Sequence, residues 1–446
     1  MQGINGFVSF LGTKDVYPYL NKSLIKMSHR AWKGYSIEYD NNVVIDAMKE
    51  FKKNNISSKS IIGYCLSNSN SGELSPIHGA IYDEELSVIV SKIKSKSEPE
   101  VLAEILKQVD GDYAFAYQKE NTLIFGRDPL GVKPLFMGRN DRLFGVASEA
   151  KALECIGLAS QSVQPGYIYR YDLRNLNRFL IKDIPNNNYL DVSLGESSKQ
   201  ILNLIETSVK NRLNKKKIAL GFSGGIDSSL LALIASRLTN IELISVYVEG
   251  SRDEVETKVS ANSLNLNLRE VRIKADEIKD LLKRISNVIE RKSNMDLAIG
   301  LAINIMASIT NTEGCEGLVL GQLADELFGG YSKYIRAYNE YDVTAVQELM
   351  RTDVLNAYSA NLERDEMVAS PYSNLILPYA SYDLANYALS LHPNLKINPK
   401  SNERKIVLRA AALEAGLPKE IVYKPKRALQ YSSNLQKIIS KVRKTL

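Results

Sequence analysis

The feature that most constrains this chain is a glycine-rich stretch near its middle, residues 220–229, which reads Leu-Gly-Phe-Ser-Gly-Gly-Ile-Asp-Ser-Ser. The mostly apolar residues 217–220 predict a buried strand before the turn, and residues 230–235 predict a buried helix after it. Two adjacent glycines let the backbone turn sharply and approach a ligand closely, because no Cβ is in the way. The N–H groups at a helix start favour an anion. The stretch therefore predicts an anion-binding loop, with a plain Gly-Ser turn as the alternative.

Six residues of this loop are candidate contacts for the anion: Ser223, Gly224, Gly225, Asp227, Ser228 and Ser229. The serines supply hydroxyl donors. Asp227 repels a phosphate unless a cation lies between them, and Mg²⁺ is the simplest such cation. No Gly-Lys-Ser/Thr follows, so the loop differs from the Walker pattern. The sequence thus predicts a phosphate site with a metal ligand at Asp227.

Composition places the chain among ordinary globular proteins. Its 446 residues suffice for two or three domains, and its 44% apolar and 24% charged content is typical of a soluble fold. The net charge of +6 suits nucleotide or nucleic-acid binding without requiring either. The longest apolar run, residues 298–309, is too short for a membrane span and contains Asn304, so we expect no membrane segment. The cysteines and histidines are too scattered for a metal cluster, and the default setting is a reducing cytoplasm.

Residues 1–182 are predicted to form a β-rich first domain. Short aromatic or β-branched runs bounded by turn formers predict strands at 7–11, 60–65, 113–117, 122–125 and 143–146. Helical patterns lie between these runs, at 43–53, 86–95 and 101–109. This alternation predicts two sheets that are covered by helices. Residues 183–195 are the predicted linker, and residues 196–446 are the predicted second domain.

The second domain has an α/β pattern. Further buried strands are predicted at 243–248, 268–273 and 317–321. Alternation at this spacing predicts a doubly wound parallel sheet that binds ligands at the carboxyl ends of its strands. Ser223 and Gly321 both fall at such ends, and Val248 can frame a nucleotide base in the same crevice. The last third is predicted to be helical, with one helix over 403–415.

A second cluster of chemistry-bearing residues spans positions 321–331, with the sequence Gly-Gln-Leu-Ala-Asp-Glu-Leu-Phe-Gly-Gly-Tyr. Asp325 follows a predicted strand, so its carboxylate is expected to face the first loop across the crevice. Two carboxylates from separate loops, Asp227 and Asp325, can hold one Mg²⁺ on a phosphate chain. The plainer alternative makes the Asp-Glu pair a helix cap worth roughly 1 kcal/mol. Both roles are compatible with the sequence.

Several of these segments resemble a known family. Residues 110–116, 126–135 and 147–153 resemble the class II glutamine amidotransferase domain of asparagine synthetases. The glycine loop resembles the SGGxDS pyrophosphate loop of ATP pyrophosphatases, and residues 321–331 resemble the asparagine synthetase motif that typically reads GEGxDELFGGY. The resemblance implies an α/β protein with an N-terminal αββα sandwich of the Ntn-hydrolase type. It also implies a C-terminal doubly wound ATP pyrophosphatase domain whose last part is helical.

The resemblance further implies an activity. In this family ATP adenylates a carboxylate, pyrophosphate leaves, and ammonia or an amine attacks the acyl-adenylate, with asparagine synthesis from aspartate as the default. ATP and Mg²⁺ are the implied cofactors. A lysine reaches the α-phosphate in the family, and Lys426 is the best match here, with Lys424 second. Asp325 and Gln322 complete the implied catalytic set, and Gly321 joins the residues implied to bind nucleotide.

Other positions depart from the family pattern. The family's glutaminase uses a cysteine directly after the initiator Met, whereas this chain has Gln2. An amide cannot act as that nucleophile. We therefore expect the first domain to fold without hydrolysing glutamine, so that ammonia is free or comes from a separate glutaminase subunit. Gln322 replaces a Glu and Leu323 replaces a Gly. In the aspartate-binding segment, Ile376 replaces an Arg and Ser381 an Asp, which removes a bidentate carboxylate clamp.

Three further hypotheses are open from the sequence. A β-lactam synthetase-like enzyme also has an inactive amidotransferase domain, and its substrate carries its own amine. A catalytically altered paralogue would bind nucleotide and regulate or partner an active synthetase. Modification of tRNA ranks last, because the chain has no aromatic-and-basic stripe, and we expect no nucleic-acid partner. The expected partners are a small carboxylate and ammonia or an amine, and a homodimer is compatible with the sequence.

Overall fold

The computed structural model describes residues 4–12, 14–39, 42–46, 58–66, 76–95, 98–119, 121–184, 189–213, 217–251, 253–274, 276–424 and 435–443. The chain divides into two compact units, Met1–Asp183 and Ile184–Leu446. Each unit has its own sheets and its own buried apolar side chains. Part of the predicted linker, residues 185–188, lies outside the described residues.

The N-terminal unit contains two antiparallel sheets. Its strands are β1 Ile4–Gly12, β2 Tyr35–Tyr39, β3 Asn42–Asp46, β4 Ser60–Leu66, β5 Ile77–Ile81, β6 Gly111–Lys119, β7 Thr122–Arg127, β8 Phe136–Arg139, β9 Leu143–Ala147, β10 Ser160–Ser162, β11 Tyr167–Tyr171 and β12 Leu176–Leu180. Seven of them pair in the order β10-β8-β9-β1-β4-β2-β3, and five in the order β12-β11-β7-β6-β5. Its helices are α1 Tyr17–Lys26, α2 Leu86–Ser95, α3 Pro99–Lys107 and α4 Ala150–Glu154, with a 3₁₀ turn at Ser28–Arg30.

Side-chain alternation along β1 shows why the layers stack. Successive strand residues point to opposite faces of a sheet. Phe7 lies in the apolar cluster between the two sheets, together with Phe125 of the other sheet. Its neighbour Val8 lies in a second cluster with Leu20 of helix α1. Leu102 of α3 lies in a third cluster, on the outer face of the five-stranded sheet. The result is the αββα sandwich that the sequence predicts.

The helix predicted over residues 43–53 is wrong at its start. Asn42–Asp46 is strand β3, which pairs antiparallel with β2 at the edge of the seven-stranded sheet. The strand contains the run Val-Val-Ile, and β-branched residues lose rotamer freedom in a helix but fit a pleated strand. The rest of the predicted helix, residues 47–53, lies outside the described residues.

The C-terminal unit is built on a five-stranded parallel sheet. Its strands are β13 Lys217–Gly221, β14 Asn240–Val248, β15 Leu268–Ile273, β16 Leu318–Val319 and β17 Leu375–Ile376, and their order is β15-β14-β13-β16-β17. All neighbouring strands in it are parallel. The chain builds outward from β13 to β15 and then continues on the other side of β13, so the strand order reverses between β13 and β16. A reversal of this kind opens a ligand crevice at the carboxyl ends of the strands.

Helices and short turns complete this unit. The helices are α5 Leu194–Arg212, α6 Ile226–Ser236, α7 Asp253–Ser263, α8 Ile278–Ser286, α9 Asn294–Thr312, α10 Ala324–Phe328, α11 Ser332–Glu340, α12 Val343–Ala357, α13 Glu363–Ala369, α14 Tyr382–Ser390, α15 Ile406–Glu414, α16 Lys419–Val422 and α17 Leu435–Arg443. A π turn spans Tyr358–Leu362, a 3₁₀ turn spans Pro393–Leu395, and strands β18 Ile397–Asn398 and β19 Glu403–Arg404 form a small hairpin. Helix α5 starts with a reciprocal capping box between Ser193 and Glu196.

Helix α9 is the one described helix that is long and apolar enough, by length and composition, to cross a membrane. Of its most apolar window, 56% is buried inside the unit. The helix packs on strands β13 and β14 and against helix α13. This packing is that of a core helix, and it places one face of α9 beside the crevice.

Candidate active site

The crevice at the reversal of strand order leads into a cavity of about 420 Å³. One wall comes from helix α9 and is apolar, with Met295, Ile299, Ile303 and Met306. The remaining wall carries polar and charged side chains, namely Ser223, Asp227, Ser228, Gln322, Asp325, Glu326, Tyr331, Lys333, Asp353, Asn356, Asn361 and Arg364. A concave site with an apolar wall and a set of convergent polar groups is typical of small-molecule binding.

The glycine loop joins strand and helix as predicted. Strand β13 ends at Gly221, and helix α6 begins at Ile226 with Gly225 as its N-cap. Gly224 has a φ angle of +67°, and a Cβ at this position would lie 3.0 Å from the hydroxyl oxygen of Ser260. A larger residue would be strained in its backbone and crowded by helix α7. The turn therefore depends on glycine at position 224.

Two serines of the loop are held together at the cavity. The hydroxyl oxygens of Ser223 and Ser228 lie 3.2 Å apart, and the backbone N–H of Ser223 donates to Ser228 Oγ at 3.3 Å. Both side chains line the cavity next to the helix start, where an anion is favoured. Ser229 is different. Its side chain is fully buried and, within the described part of the chain, its hydroxyl has no hydrogen-bond partner. Because it lies inside the helix packing, the structure does not place Ser229 at the anion site.

Lys424 contacts the glycine loop from outside the cavity. Its Nζ atom lies 3.4 Å from the backbone oxygen of Gly224, 3.4 Å from the hydroxyl of Ser260 and 3.4 Å from a carboxylate oxygen of Glu256. It is not among the residues that line the cavity. The structure therefore gives Lys424 a role in holding the loop. The better sequence candidate for the phosphate lysine, Lys426, lies outside the described residues.

The centre of the site is a lysine between two carboxylates. Nζ of Lys405 lies 2.5 and 2.6 Å from the two carboxylate oxygens of Asp227 and 2.6 Å from Oδ1 of Asp325. The lysine side chain is 2% exposed, and the aspartate side chains are 17% and 19% exposed. The two carboxylates predicted to share a cation thus meet around one positive charge.

This donor set suits a divalent cation as well as an ammonium group. Hard carboxylate oxygens are the ligands that Mg²⁺ takes, and a protein often supplies only one or two of them beside substrate phosphates. Within the described residues, no group of three or more His, Cys, Asp or Glu side chains is placed to hold a metal. Asp227 and Asp325 therefore fit a cation that is completed by phosphate oxygens.

Lys405 has an unusual backbone conformation. Its φ angle is +60°, in the left-handed region. It follows strand β19 and precedes helix α15, which begins at Ile406. The helix predicted from residue 403 therefore starts three residues late, because no α-helical residue adopts this φ. A non-glycine residue in this region costs roughly 1–2 kcal/mol, and such residues cluster at functional sites.

Glycines let the segment over 321–330 lie close to the glycine loop. A Cβ on Gly330 would lie 1.9 Å from Oδ1 of Asp325 and 2.6 Å from Cε of Lys405. A Cβ on Gly321 would lie 3.4 Å from Cβ of Asp227. The ion cluster is therefore possible only with glycine at position 330, and the segment over 321–330 lies directly against the first loop.

Gln322 is held in a buried charged network. Its side-chain amide donates to the carboxylate of Asp365. Arg364 donates to the same Asp365 at 2.8 Å and to Asp296 at 3.0 Å. The amide of Gln322 has no basic lone pair to accept a proton, so this arrangement fixes the cavity wall rather than providing a base.

Glu326 is a buried carboxylate of the wall. Oε1 of Glu326 accepts hydrogen bonds from Tyr331 Oη at 2.8 Å and from Asn361 Nδ2 at 3.1 Å. Burial, with the neighbouring charge of Asp325, raises the pKa of Glu326 to about 7. Glu326 is therefore protonated more easily than an exposed glutamate.

The structure brings together most of the predicted site residues. Ser223, Asp227, Ser228, Gly321, Gln322 and Asp325 all line one cavity. Gly224, Gly225, Ser229 and Val248 are not among its lining residues, whereas Val246, two positions earlier on strand β14, is. Sequence reasoning missed Lys405, Lys333, Asp353 and Arg364. Lys405 stands before an apolar helical run, where a basic residue usually faces solvent, so no local signal marks it.

In the N-terminal unit, the most specific motif has a structural role. The backbone N–H groups of Leu130, Val132 and Lys133 donate to the carboxylate of Asp128 at 3.0–3.2 Å. Asp128 is buried, and its burial raises its pKa to about 6. The Arg-Asp-Pro-Leu-Gly run is thus a loop that folds around its own aspartate.

Cys65 has no features of a nucleophile. It is fully buried on strand β4, and burial raises the pKa of its thiol to about 12. A reactive cysteine needs the opposite shift. Position 2, where the family has its nucleophile, lies outside the described residues.

Comparison with known proteins gives matches in both units. Residues 200–358 and 340–445 match the family described as asparagine synthase, and residues 80–155 match the glutamine amidotransferase domain. A putative glutamine-hydrolyzing asparagine synthetase of Methanocaldococcus jannaschii is 31% identical over 76% of this chain and 72% of that protein. A probable asparagine synthetase of Acanthamoeba polyphaga mimivirus is 26% identical over 73% of this chain and 64% of that protein.

Among solved structures, one described as the allosteric regulatory enzyme of purine biosynthesis aligns with 60% of this chain and 80% of that chain. The TM-score is 0.37 and the identity 14%, too low to add to the family match.

The two antiparallel sheets of the N-terminal unit and the glycine loop and crevice of the C-terminal unit are compatible with the two matched domains. The match to the asparagine synthase family covers more than half of the sequence. The archaeal relative is 31% identical over most of it. The chain belongs to the asparagine synthase family.

Proposed function

We propose that the C-terminal unit adenylates a carboxylate with ATP and transfers the acyl group to ammonia or an amine, releasing AMP and pyrophosphate. The observation that carries this proposal is the meeting of Asp227 and Asp325 around one positive charge, beside the start of helix α6. A phosphate chain bound at the glycine loop would contact the serine hydroxyls and the N–H groups at the start of helix α6, and it would lie beside the two carboxylates that can bind a cation. Conversion of aspartate to asparagine is the family default and the first substrate to test.

Mg²⁺ would be held by Asp227 and Asp325, and it would neutralise phosphate charge as pyrophosphate leaves. The chain's own cations would act beside it. The ammonium of Lys405 lies at the same carboxylates, so phosphates that arrive there come within its reach. Lys426 is proposed to bring a further positive charge to the α-phosphate, where charge develops in the transition state.

We also propose that the N-terminal unit does not hydrolyse glutamine. The chain has three cysteines, Cys65, Cys155 and Cys315, and burial raises the thiol pKa of each. A thiolate nucleophile requires a lowered pKa, and the amide of Gln2 cannot replace it. Ammonia would then be free or delivered by a separate glutaminase subunit. The free thiols fit a reducing cytoplasm. We also propose that the chain forms a homodimer.

A β-lactam synthetase-like reaction, in which the acid carries its own amine, is the second candidate. It is favoured by Ile376, which is buried on strand β17 where the family has a carboxylate-binding Arg. It is also favoured by Gln322, whose amide cannot act as a base for ammonia. A catalytically altered paralogue that binds nucleotide and partners an active synthetase is the remaining alternative.

Release of pyrophosphate from ATP, measured in the presence of Mg²⁺ and a panel of amino and dicarboxylic acids, separates these candidates. Catalysis predicts release that depends on one acid, whereas a nucleotide-binding paralogue predicts none with any acid. Whether release also requires ammonia or an added amine distinguishes the synthetase from the enzyme whose substrate carries its own amine. Glutamate formation from glutamine would contradict the proposal for the N-terminal unit.

A further inference from the structure

The N-terminal unit has a cavity of its own, with a volume of about 560 Å³. It lies beside the turn that joins strands β8 and β9 and the turn that joins β11 and β12. Its volume is in the range of pockets that hold small molecules. The polar residues among its described lining are Arg139, Gln161, Arg174 and Asn175. None of them has a part in the chemistry proposed above.

Two arginines from different sheets give this cavity its charge. Arg139 ends strand β8 of the seven-stranded sheet, and Arg174 precedes strand β12 of the five-stranded sheet. Both residues are exposed, and within the described part of the chain neither guanidinium forms an ion pair or a hydrogen bond. No Asp or Glu is among the described residues that line the cavity. The lining therefore carries positive charge that the described lining does not compensate.

The charge of the surrounding sequence has the same sign. Residues 139–142 and 170–178, which span the two turns, contain five arginines and two aspartates. One of these aspartates, Asp172, is used by its own turn. Its Oδ1 atom accepts hydrogen bonds from the backbone N–H groups of Arg174 at 3.2 Å and Asn175 at 2.8 Å. Such a side-chain-to-backbone turn fixes the local backbone, so the position of Arg174 at the cavity is set by the fold.

The inner wall of the cavity is apolar. Met137 and Phe144 belong to the buried cluster between the two sheets, and Leu176 packs against it. Phe144 of β9 stacks on Tyr171 of β11, with ring centres 4.1 Å apart, so this pair joins the two sheets at the cavity. Burial raises the pKa of Tyr171, and the charge of Arg139 opposes that shift. The guanidinium of Arg139 thus acts close to the apolar wall, and one small ligand can contact both.

We propose that this cavity binds a small organic phosphate. Arg139 and Arg174 hold its phosphate group, and its apolar part contacts the wall of Met137, Phe144 and Leu176. A guanidinium is planar and donates two parallel hydrogen bonds to phosphate oxygens, so two of them suit a group with two negative charges. The site lies within the N-terminal unit and goes beyond the proposed function of the chain.

Calorimetric titration of the full chain with phenyl phosphate tests the site, because this probe has one phosphate and one apolar ring. Inorganic phosphate lacks the ring, and phenol lacks the charge. Each should bind at least tenfold more weakly than phenyl phosphate. Equal affinity for either one, or no binding of phenyl phosphate, would overturn the proposal.

Variants assign the binding to the two arginines. Arg139→Gln and Arg174→Gln should each weaken the binding of phenyl phosphate at least tenfold, since each removes a charge-assisted contact. Arg142→Gln, at an exposed arginine of the β8–β9 turn that does not line the cavity, is the matched control and should stay within twofold of the wild type. Binding at the glycine loop of the C-terminal unit would survive these substitutions, so only the arginine-dependent part counts. Wild-type affinity in both folded variants, or an equal loss in the control, would show that the cavity does not bind the phosphate.

Discussion

Lys405 and Asp227 form a direct ion pair, with Nζ of the lysine 2.5 Å from a carboxylate oxygen, although 178 positions separate them in the sequence. Asp325 contributes an oxygen to the same ammonium at 2.6 Å. The lysine thus lies where the proposed reaction needs a divalent cation. An ammonium and a metal ion that use the same oxygens must compete for them.

Lys405→Met tests this competition. Lys405→Met removes the ammonium that occupies oxygens of both carboxylates, so Mn²⁺ should bind the variant without nucleotide at least tenfold more tightly than the wild type. A cation that binds only the folded state raises its stability, so Mn²⁺ should also raise the Tm of the variant more than that of the wild type. Calorimetric titration and thermal unfolding with and without Mn²⁺ measure both effects. Lys400→Met, at an exposed lysine, is the control. Equal Mn²⁺ affinity in the variant and the wild type would rule out competition.

The sequence predicted the parts of the molecule that depend on local pattern. The run at 7–11 predicted a strand, which β1 confirms, but Phe7 and Val8 are both apolar, so the sequence did not show which of them faces the other sheet and which faces a helix. The glycine loop and Asp325 were predicted because strand ends on both sides of a strand-order reversal lie together. The sequence did not predict the role of Lys405. Its ion-pair partners are distant in the sequence, and the residues around it do not indicate a left-handed backbone.

Leu323 stands where the family motif has a glycine, and its backbone shows why glycine suits the position. Its φ angle is +77°, while its side chain is 3% exposed. Any truncation loses apolar burial, but glycine also relieves the left-handed strain, worth roughly 1 kcal/mol. Leu323→Gly should therefore unfold with a free energy about 1 kcal/mol higher than Leu323→Ala. Denaturant titration measures the difference.

The substitutions Leu327→Ala and Leu327→Gly are the control for the different side-chain sizes of alanine and glycine. This leucine is also fully buried, but it lies within helix α10. There the usual order should hold, with Ala more stable than Gly by roughly 0.5–1 kcal/mol. If the Ala variant is more stable than the Gly variant at both positions, the left-handed backbone at Leu323 does not reduce the free energy of unfolding.

Lys396 is a buried lysine outside the site. It is 0% exposed and, among the described residues, its Nζ has no hydrogen-bond partner. Burial lowers the pKa of Lys396 to about 7. Between this value and the ordinary lysine pKa the unfolded chain binds the extra proton, so wild-type stability should rise with pH above about 7. Below that pH the cost of burying the charge is fully present.

Lys396→Met should remove this cost. At pH 7 the variant should be more stable than the wild type by roughly 1–3 kcal/mol, since it replaces an unsatisfied buried polar group by an apolar one. Its advantage should shrink between pH 7 and pH 9, by at most about 1.4 kcal/mol per pH unit. Denaturant titrations at pH 6.5, 7.5 and 8.5 measure both. An advantage that grows with pH would show that Lys396 is not the titrating group.

The most direct test of the whole account is acid-dependent release of pyrophosphate from Mg-ATP by the wild type, Asp227→Asn and Asp325→Asn. Asp280→Asn, an exposed carboxylate of the same unit, is the control. Removing either charge from the shared cation seat should reduce release by at least a hundredfold, roughly the loss of 3 kcal/mol of transition-state stabilisation. The control should keep full activity. Wild-type rates in both site variants, with the proteins folded, would contradict the claim that these two carboxylates hold the nucleotide's cation.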